Sequence, residues 1–420
     1  MAFIKTPVKG MPDLLPEDVA LRESIFKMIK QAYSAYGFAQ IETPSIEHIE
    51  NLSNKQGGEN EKLIFKILKR GEDFKNALES GSGELADSGL RYDLTVPLAR
   101  YYAANQSKLP APFKAMQIGN VWRADKPQKG RFRQFVQCDI DILGDDSILA
   151  EIELIAATAD MLTKIFAQAG LSKFTVHISD RRILRAAAAY AGFEECDFDR
   201  VLIILDKYDK IGLEGIKAEL EKAGFVMSAI EKYTQFYKNA HKGVGCEEFC
   251  KYLADGYLAP DVATGIDTII ACVKEMADRG VTVMFDPTLV RGMSYYTGTI
   301  FECTIDGYDF SIAGGGRYDK MIGQYSGQQV CACGFSIGFE RIITILKDNK
   351  VAPATTAEKR AVLIEKGTPP QKMLEVMRAA KAARADGKTV SILPMKKNTK
   401  HQIDSLIEQG YSDVERVYRS

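Results

Sequence analysis

The sequence predicts an α+β fold: a large domain on an antiparallel sheet, interrupted by a helical insertion, plus a small C-terminal α/β domain. Three stretches carry this reading. Residues 115–144 read as two long strands joined by a strongly basic turn. Residues 181–272 lose the strand pattern and become a Lys/Glu-rich helical run. From Lys359 onward, after a polar linker, the pattern is β-α-β-α-β, which favours a parallel sheet. The predicted limits are 1–348 for the first domain with its 181–272 insertion, 349–358 for the linker, and 359–420 for the last domain.

The hairpin is the most informative element. Alternation places Phe132, Val136, Cys138, Ile140 and Ile142 on one face, broken only by Gln134. The other face carries Arg131, Arg133, Phe135, Gln137, Asp139 and Asp141, and Arg123 can join it from the partner strand. A solvated outer sheet face is the plain alternative. A site that binds something both cationic and anionic is the sharper one. Asp139 receives no role at this stage.

A chain of 420 residues exceeds one ordinary core. No stretch approaches the roughly 18 apolar residues of a membrane span. The N-terminus lacks an apolar signal core, which argues against secretion. Eight scattered cysteines, several inside apolar runs, fit reduced thiols in a cytoplasm. Cys246 and Cys250 lie near His241 but lack a second ligand pair, so zinc is not expected. A net charge of −1 leaves room for a local basic stripe that meets phosphates.

In chain order, Pro16 opens a helix with Glu17 and Asp18 in its first turn, and Gly37 ends it. Val19, Ile25, Phe26, Ile29 and Tyr33 form its expected buried face. GFAQIETPSIEHIE then reads as a strand whose Pro44 marks an edge, bend or subunit contact. Residues 51–88 read as loops and a hairpin. Leu90–Arg100 is a strand–turn–helix junction in which Asp93 and Thr95 are cap candidates. Helix 147–170, strand 173–179 and strand 281–285 follow. The triple glycine of SIAGGGRY allows close backbone approach but reads first as a plain turn. CACGFSIGFERIITIL switches from strand to helix at Gly338. That puts Arg341 in a helical first turn, where the dipole disfavours it and a ligand anion or buried carboxylate must compensate. The last domain holds 13 Lys/Arg against 7 Asp/Glu.

With these residues in view, the chain resembles the class II aminoacyl-tRNA synthetases. GFAQIETPSIE, VWRADKPQKGRFRQFVQCDIDILG and GFSIGFERI resemble the three class motifs. LVRGMSYYTG and AGGGRYD resemble the two motifs peculiar to the histidyl-tRNA synthetase family. The resemblance implies a class II antiparallel-sheet catalytic domain with a C-terminal anticodon-binding-like domain. It implies activation of L-histidine by ATP, with Mg²⁺ on the triphosphate, and transfer to tRNA(His). By resemblance Arg123 and Arg291 are the catalytic arginines at the α-phosphate. Arg123, Asp125, Arg131, Arg133, Phe135 and Arg341 are the ATP-binding set. Asp93, Thr95 and Gln137 hold the α-amino end; Asp141, Tyr296 and Tyr318, with Tyr295 beside them, read the imidazole. A cytoplasmic homodimer is implied, through the Pro44 element, with no membrane and no editing domain. The sequence departs from relatives at Ser294, where many carry Asp, and at Asp93 and Asp141, where some carry Glu. The C-terminal domain is expected to be shortened. The competing reading is a non-catalytic paralogue, like the regulatory subunit of ATP phosphoribosyltransferase. A synthetase for another amino acid and a tRNA-binding module without chemistry are further alternatives.

Overall fold

The computed structural model describes residues 3–53, 62–81, 84–128, 130–238, 240–253, 255–291, 295–352 and 358–420. The chain divides into two compact units, Met1–Ala352 and Pro353–Ser420.

In the first unit, α1 (Pro16–Ala35) ends at Gly37, whose φ of +82° lets Phe38 N–H return to the Tyr33 carbonyl. Leu21, Ile25, Ile29 and Tyr33 are buried. Val19, expected with them, is exposed, and Phe26 is half-buried and stacked on Phe339 at 4.2 Å. The segment read as one strand is two: β1 (Ala39–Gln40) and β2 (Ile46–His48), which lie in different sheets. Pro44 falls in the break, where its missing amide costs no ladder bond. Arg91 fastens the break by donating to the Thr43 carbonyl at 2.7 Å and the Pro44 carbonyl at 3.3 Å.

Within 51–88, where loops and a hairpin are expected, the chain also forms helices. After α2 (Ile49–Leu52) come β3 (Lys66–Leu68), α3 (Gly71–Glu79) and β4 (Ala86–Leu90). Strands β2, β4 and β3 make a small antiparallel sheet. α3 buries only Ala77 fully, too little to leave an apolar stripe in the sequence. α4 (Thr95–Asn105) then starts beside Asp93, whose Oδ1 accepts the Val96 N–H at 3.1 Å.

The long hairpin is β5 (Phe113–Trp122) with β6 (Gln134–Leu143). β6 starts at Gln134, so Arg131 and Arg133 belong to the turn and not to the strand face. Gln128 and Arg131 exchange backbone hydrogen bonds of 3.1 and 2.9 Å, and the Gly10 carbonyl takes the Arg133 N–H at 2.8 Å. These bonds draw the backbone out of the ladder.

α5 (Leu149–Ala167) and β7 (Phe174–Asp180) lead into the helical stretch: α6 (Arg181–Ala191), α7 (Phe198–Leu205), α8 (Tyr208–Lys222), α9 (Met227–Tyr237), α10 (Cys246–Cys250) and α11 (Pro260–Met276). The Cys246 and Cys250 sulfurs are 4.0 Å apart and buried. Among the described residues no cluster of three or more His, Cys, Asp or Glu could hold a metal. β8 (Val281–Phe285) returns parallel to β7, followed by β9 (Thr299–Ile305), β10 (Ala313–Arg317), α12 (Gly323–Ser326), β11 (Ala332–Gly338) and α13 (Phe339–Asp348).

The main sheet runs β1-β5-β6-β11-β10-β9-β7-β8 and is parallel only at its two outermost pairs. The triple glycine is not a turn. It forms β10, buried throughout and paired on both sides. A Cβ on Gly315 would strike the Gly334 carbonyl and lie 2.8 Å from Phe335 Cα, so glycine is the only residue that permits this pairing. The neighbouring Arg317 is tied to buried Glu151 of α5 by two hydrogen bonds of 2.7 and 2.6 Å.

The second unit is β12 (Lys359–Ile364), α14 (Pro370–Ala385), β13 (Thr389–Pro394), α15 (Thr399–Glu408) and β14 (Asp413–Val417). Its strands are parallel, with β12 central. Val362 packs with Ala380 of α14 on one face, and Ala361 and Leu363 with Leu406 of α15 on the other.

Gly315→Ala is expected to cost more than about 2 kcal/mol, because the clash is with backbone that cannot rotate away. Chemical denaturation measures this, and a midpoint equal to wild type would contradict the packing argument.

Candidate active site

The site grows from pairing register. Directly paired residues in a sheet share a face, so Gln117, Asp139, Ser336, Gly314, Glu302 and His177 stand in one row across six strands. The next row brings Asp141, Gly334 and Gly316 together; on the other side Gln137 faces Gly338. A cavity of about 490 Å³ opens over these rows. Gly314 and Gly334 in its floor are glycine for a steric reason. A Cβ at Gly334 would occupy the place of the Asp141 carboxylate, and one at Gly314 that of the Arg291 guanidinium.

One end of the cavity is acidic and deeply buried. Asp93, Asp139 and Asp141 are each at most 3% exposed. Asp141 Oδ1 accepts a 2.6 Å hydrogen bond from the Tyr318 hydroxyl. Burial raises its pKa to about 7 in spite of that bond. Burial likewise raises Asp93 to about 6, although the Val96 amide, Arg123 and Arg91 oppose it. Asp139 is pushed well above the usual range by burial and then by Asp141. The Tyr295 ring lies 4.8 Å from that of Tyr296 and 6.0 Å from that of Tyr318, forming an aromatic wall. Thr95, at the start of α4, also lines this end.

Toward the basic turn the cavity becomes cationic. Arg123 donates to the Tyr92 carbonyl at 2.8 Å, and its guanidinium lies 5.2 Å from the Phe135 ring centre. Arg291 pairs with Glu302. Burial would lower the Arg291 pKa, but Glu302 holds it up. Arg341 donates to the Ser311 carbonyl at 2.5 Å and to its hydroxyl at 3.1 Å, and it sits 5.5 Å from the Phe310 ring centre. Its pKa is lowered by burial and then by Arg131, with Arg291 and Arg123 adding to the effect. Neutral Ser311 atoms hold the Arg341 head, and Glu302 is the carboxylate whose charge favours its ionised form. The adjacent carboxylate, Glu340, is engaged by Arg22 through bonds of 2.5 and 2.8 Å and by the Val136 amide at 3.2 Å. With neutral acceptors on its head, Arg341 retains a demand for an anion.

Asp93, Thr95, Arg123, Asp125, Arg131, Phe135, Gln137, Asp141, Arg291, Tyr295, Tyr296, Tyr318 and Arg341 all line this cavity. Arg133, predicted with them, is not among its lining residues. Its guanidinium donates to the Asp125 carbonyl at 3.1 Å and braces the turn. Asp125 and Arg131 face each other at 3.8 Å. Ser294 lies outside the described residues. Sequence reasoning missed Glu302, Ser336 and Asp206, which also line the cavity. Glu302 was signalled by polar positions alternating within the apolar strand TIFECTI. Asp206, at the end of α7, has no local signal inside its Lys/Glu-rich run.

The family model for histidyl-tRNA synthetase matches residues 10–342. A histidine–tRNA ligase of Leifsonia xyli subsp. xyli is 42% identical, covering 98% of this chain and 95% of that protein. The one from Christiangramia forsetii is 35% identical over 92% of this chain and 86% of its own. The crystal structure of histidyl-tRNA synthetase from Nostoc sp. PCC 7120 superimposes with a TM-score of 0.77 at 27% identity, covering 98% of this chain and 90% of that one. A Bacillus halodurans C structure, described as an ATP phosphoribosyltransferase regulatory subunit/histidyl-tRNA synthetase, shares the fold over all of both chains, with a TM-score of 0.79 at 22% identity. By sequence and by fold, the chain belongs to the histidyl-tRNA synthetase family.

Proposed function

We propose that this protein is a histidine–tRNA ligase. It joins L-histidine to the α-phosphate of ATP, releasing pyrophosphate, and passes the histidyl group to the 3′ end of tRNA(His). The observation that carries this reading is the polarity of one cavity, with buried carboxyls and tyrosines at one end and guanidinium groups at the other. An amino acid that must meet a triphosphate needs that polarity.

In the first step the histidine carboxylate attacks the α-phosphorus and pyrophosphate departs. Arg123 and Arg291 hold the charge that builds on the α-phosphate oxygens, fixed in place before reaction and shielded from water. Phe135 and Arg341 flank adenine, and Asp125 meets its amino group. Arg131 takes the outer phosphates or the tRNA acceptor end, with Arg133 bracing the turn beneath it. Asp93, Thr95 and Gln137 hold the α-amino end. Asp141, kept in place by Tyr318, reads the imidazole with Tyr296, and Tyr295 walls it in. A ring lacking the imidazole nitrogens leaves these buried groups unpaired, which discriminates by about 10⁴ or more and removes the need for editing. In the second step a terminal ribose hydroxyl attacks the histidyl carbonyl and AMP leaves.

Mg²⁺ usually binds through one or two carboxylates together with substrate phosphates. Asp206 and Glu302 line the cavity beside Arg291 and fit that role; burial, and then the neighbouring Glu302 charge, raise the Asp206 pKa. When bound, the ion supplies charge neutralisation on the triphosphate. The C-terminal unit, residues 359–420, takes the anticodon end of the tRNA, in keeping with its 13 Lys/Arg against 7 Asp/Glu. The protein works as a homodimer through the Pro44 element. Its eight free cysteines suit a cytoplasm, and no described helix is long and apolar enough to cross a membrane. A purely regulatory paralogue would have no use for Arg123, Arg291 and Arg341 around one cavity.

The direct test is exchange of labelled pyrophosphate into ATP, which should depend on histidine and on no other amino acid. Absence of exchange with every amino acid, together with tight binding to a phosphoribosyltransferase, would favour the regulatory reading. Arg291→Ala should lower exchange by about 100-fold or more while histidine affinity stays within a few-fold. Collapse of histidine affinity would remove Arg291 from its phosphate role.

Asp141 links activity to stability. Its folded pKa of about 7 lies above the unfolded value of about 3.9. The group therefore lends stability that is complete below about pH 4 and is lost as pH rises through 7. Asp141→Asn should make the ligand-free protein more stable than wild type at pH 8, by an order of a few kcal/mol. That advantage should shrink toward pH 4, while histidine activation falls sharply. Melting curves across this range check it, and a constant difference would contradict the linkage.

A further inference from the structure

Three buried acceptor atoms lining the cavity have no hydrogen-bond partner among the described residues: Asp93 Oδ2, Gln137 Oε1 and Asp139 Oδ1. Buried polar atoms are normally paired, so three left open around one space mark a ligand group that brings only donors. An ammonium group has three N–H donors and no acceptor. We infer that Asp139 is a binding residue for the α-ammonium of the amino-acid substrate, completing a seat with Asp93 and Gln137. This inference rests on the function proposed above and adds a residue to it.

The surroundings of Asp139 exclude a purely structural role for its open oxygen. Its pairing partner on β5, Gln117, has both amide atoms engaged: it accepts from Thr43 Oγ1 at 3.1 Å and donates to the Leu94 carbonyl at 3.0 Å. Its partner on β11, Ser336, accepts from Gln137 Nε2 at 2.7 Å and spends its own proton on Asp139. A hydroxyl has one proton, so Ser336 cannot serve the second carboxylate oxygen. Arg123 is near enough to favour the charged form of Asp139, but its Nε is held by the Tyr92 carbonyl and its head lies over Phe135. Tyr318 is already committed to Asp141.

The two ends of the substrate differ in the hydrogen bonds they demand. Asp141 has its tyrosine donor and leaves one oxygen for a single N–H, the demand of an imidazole. Asp93, Gln137 and Asp139 together offer three acceptors, the demand of an ammonium. An ammonium seated there, with the nearby Arg123 guanidinium, favours the ionised forms of Asp93 and Asp139 that burial opposes in the empty site. The open carboxylates are costly only while the seat is empty.

The test compares three ligands on wild type and Asp139→Asn, with Asp139→Ser as a second variant should the amide perturb folding. L-histidine and L-histidinol carry the ammonium. β-Imidazolelactic acid has a hydroxyl in its place. Dissociation constants come from calorimetry or from displacement of labelled histidine. Loss of a charge-assisted hydrogen bond should weaken histidine and histidinol about tenfold or more and leave imidazolelactate within about twofold. Equal weakening of all three, or no weakening of histidinol, would overturn the assignment. A wild type that binds none of the three would instead overturn the function on which it rests.

Discussion

The register between β6 and β11 is the constraint on which the site depends. Gln137, Asp139 and Asp141 stand opposite Gly338, Ser336 and Gly334, so on the β11 side these three cavity-lining polar side chains each face a residue with little or no bulk. The adjacent β10 continues the clearance with Gly314 and Gly316. Because side chains alternate with a period of two, a slip of one residue would turn all three polar groups into the core. It would also bring Ile140 and Cys138 into the cavity. The core prevents this slip, since Cys138, Ile140 and Ile142 are at most 1% exposed on the opposite face.

On that frame the protein carries two opposed electrostatic costs. Carboxyls crowd one end, and burial moves them toward neutrality. Guanidinium groups crowd the other, and burial with mutual repulsion lowers Arg341. Two ion pairs tie the elements around the cavity together: Arg22 of α1 to Glu340 of α13, at the cavity's edge, and Arg317 of β10 to Glu151 of α5. These hold the surroundings rigid while the site itself stays unsatisfied. Interactions left open in the free protein are available to a substrate and to the charge of its transition state.

Much of this was legible in the sequence, for physical reasons that differ by element. The hairpin was legible because burial on one face forces strict alternation, and a polar row on the other face then stands out. The switch at Gly338 was legible because a helix start carries its own composition. Arg131 and Arg133 were misplaced because alternation continues on paper past the point where Gln128 and Arg131 close the turn. The triple glycine was misread because its cause is a neighbouring strand distant in sequence. Arg341 was expected to need an anionic ligand or a buried carboxylate, but the groups that hold it, Ser311 and Glu302, are distant in sequence and left no local signal. Asp139 fell on the right face, but its open oxygen follows only from knowing where Ser336 and Gln117 spend their hydrogen bonds.

The glycine floor has a consequence for how such a protein can change over generations. A pocket bounded by side chains can be recarved by single substitutions that enlarge, shrink or recharge it. At Gly314 and Gly334 the base is main chain, held by the strand pairing on either side, so no point mutation can deepen it at those positions. A mutation at either can only fill it, and the first added methyl group at Gly334 displaces the Asp141 carboxylate. Innovation is confined to the walls, where Tyr295, Tyr296 and Tyr318 already interlock. The steric fit that fixes the acidic end of the cavity also makes it evolutionarily stiff.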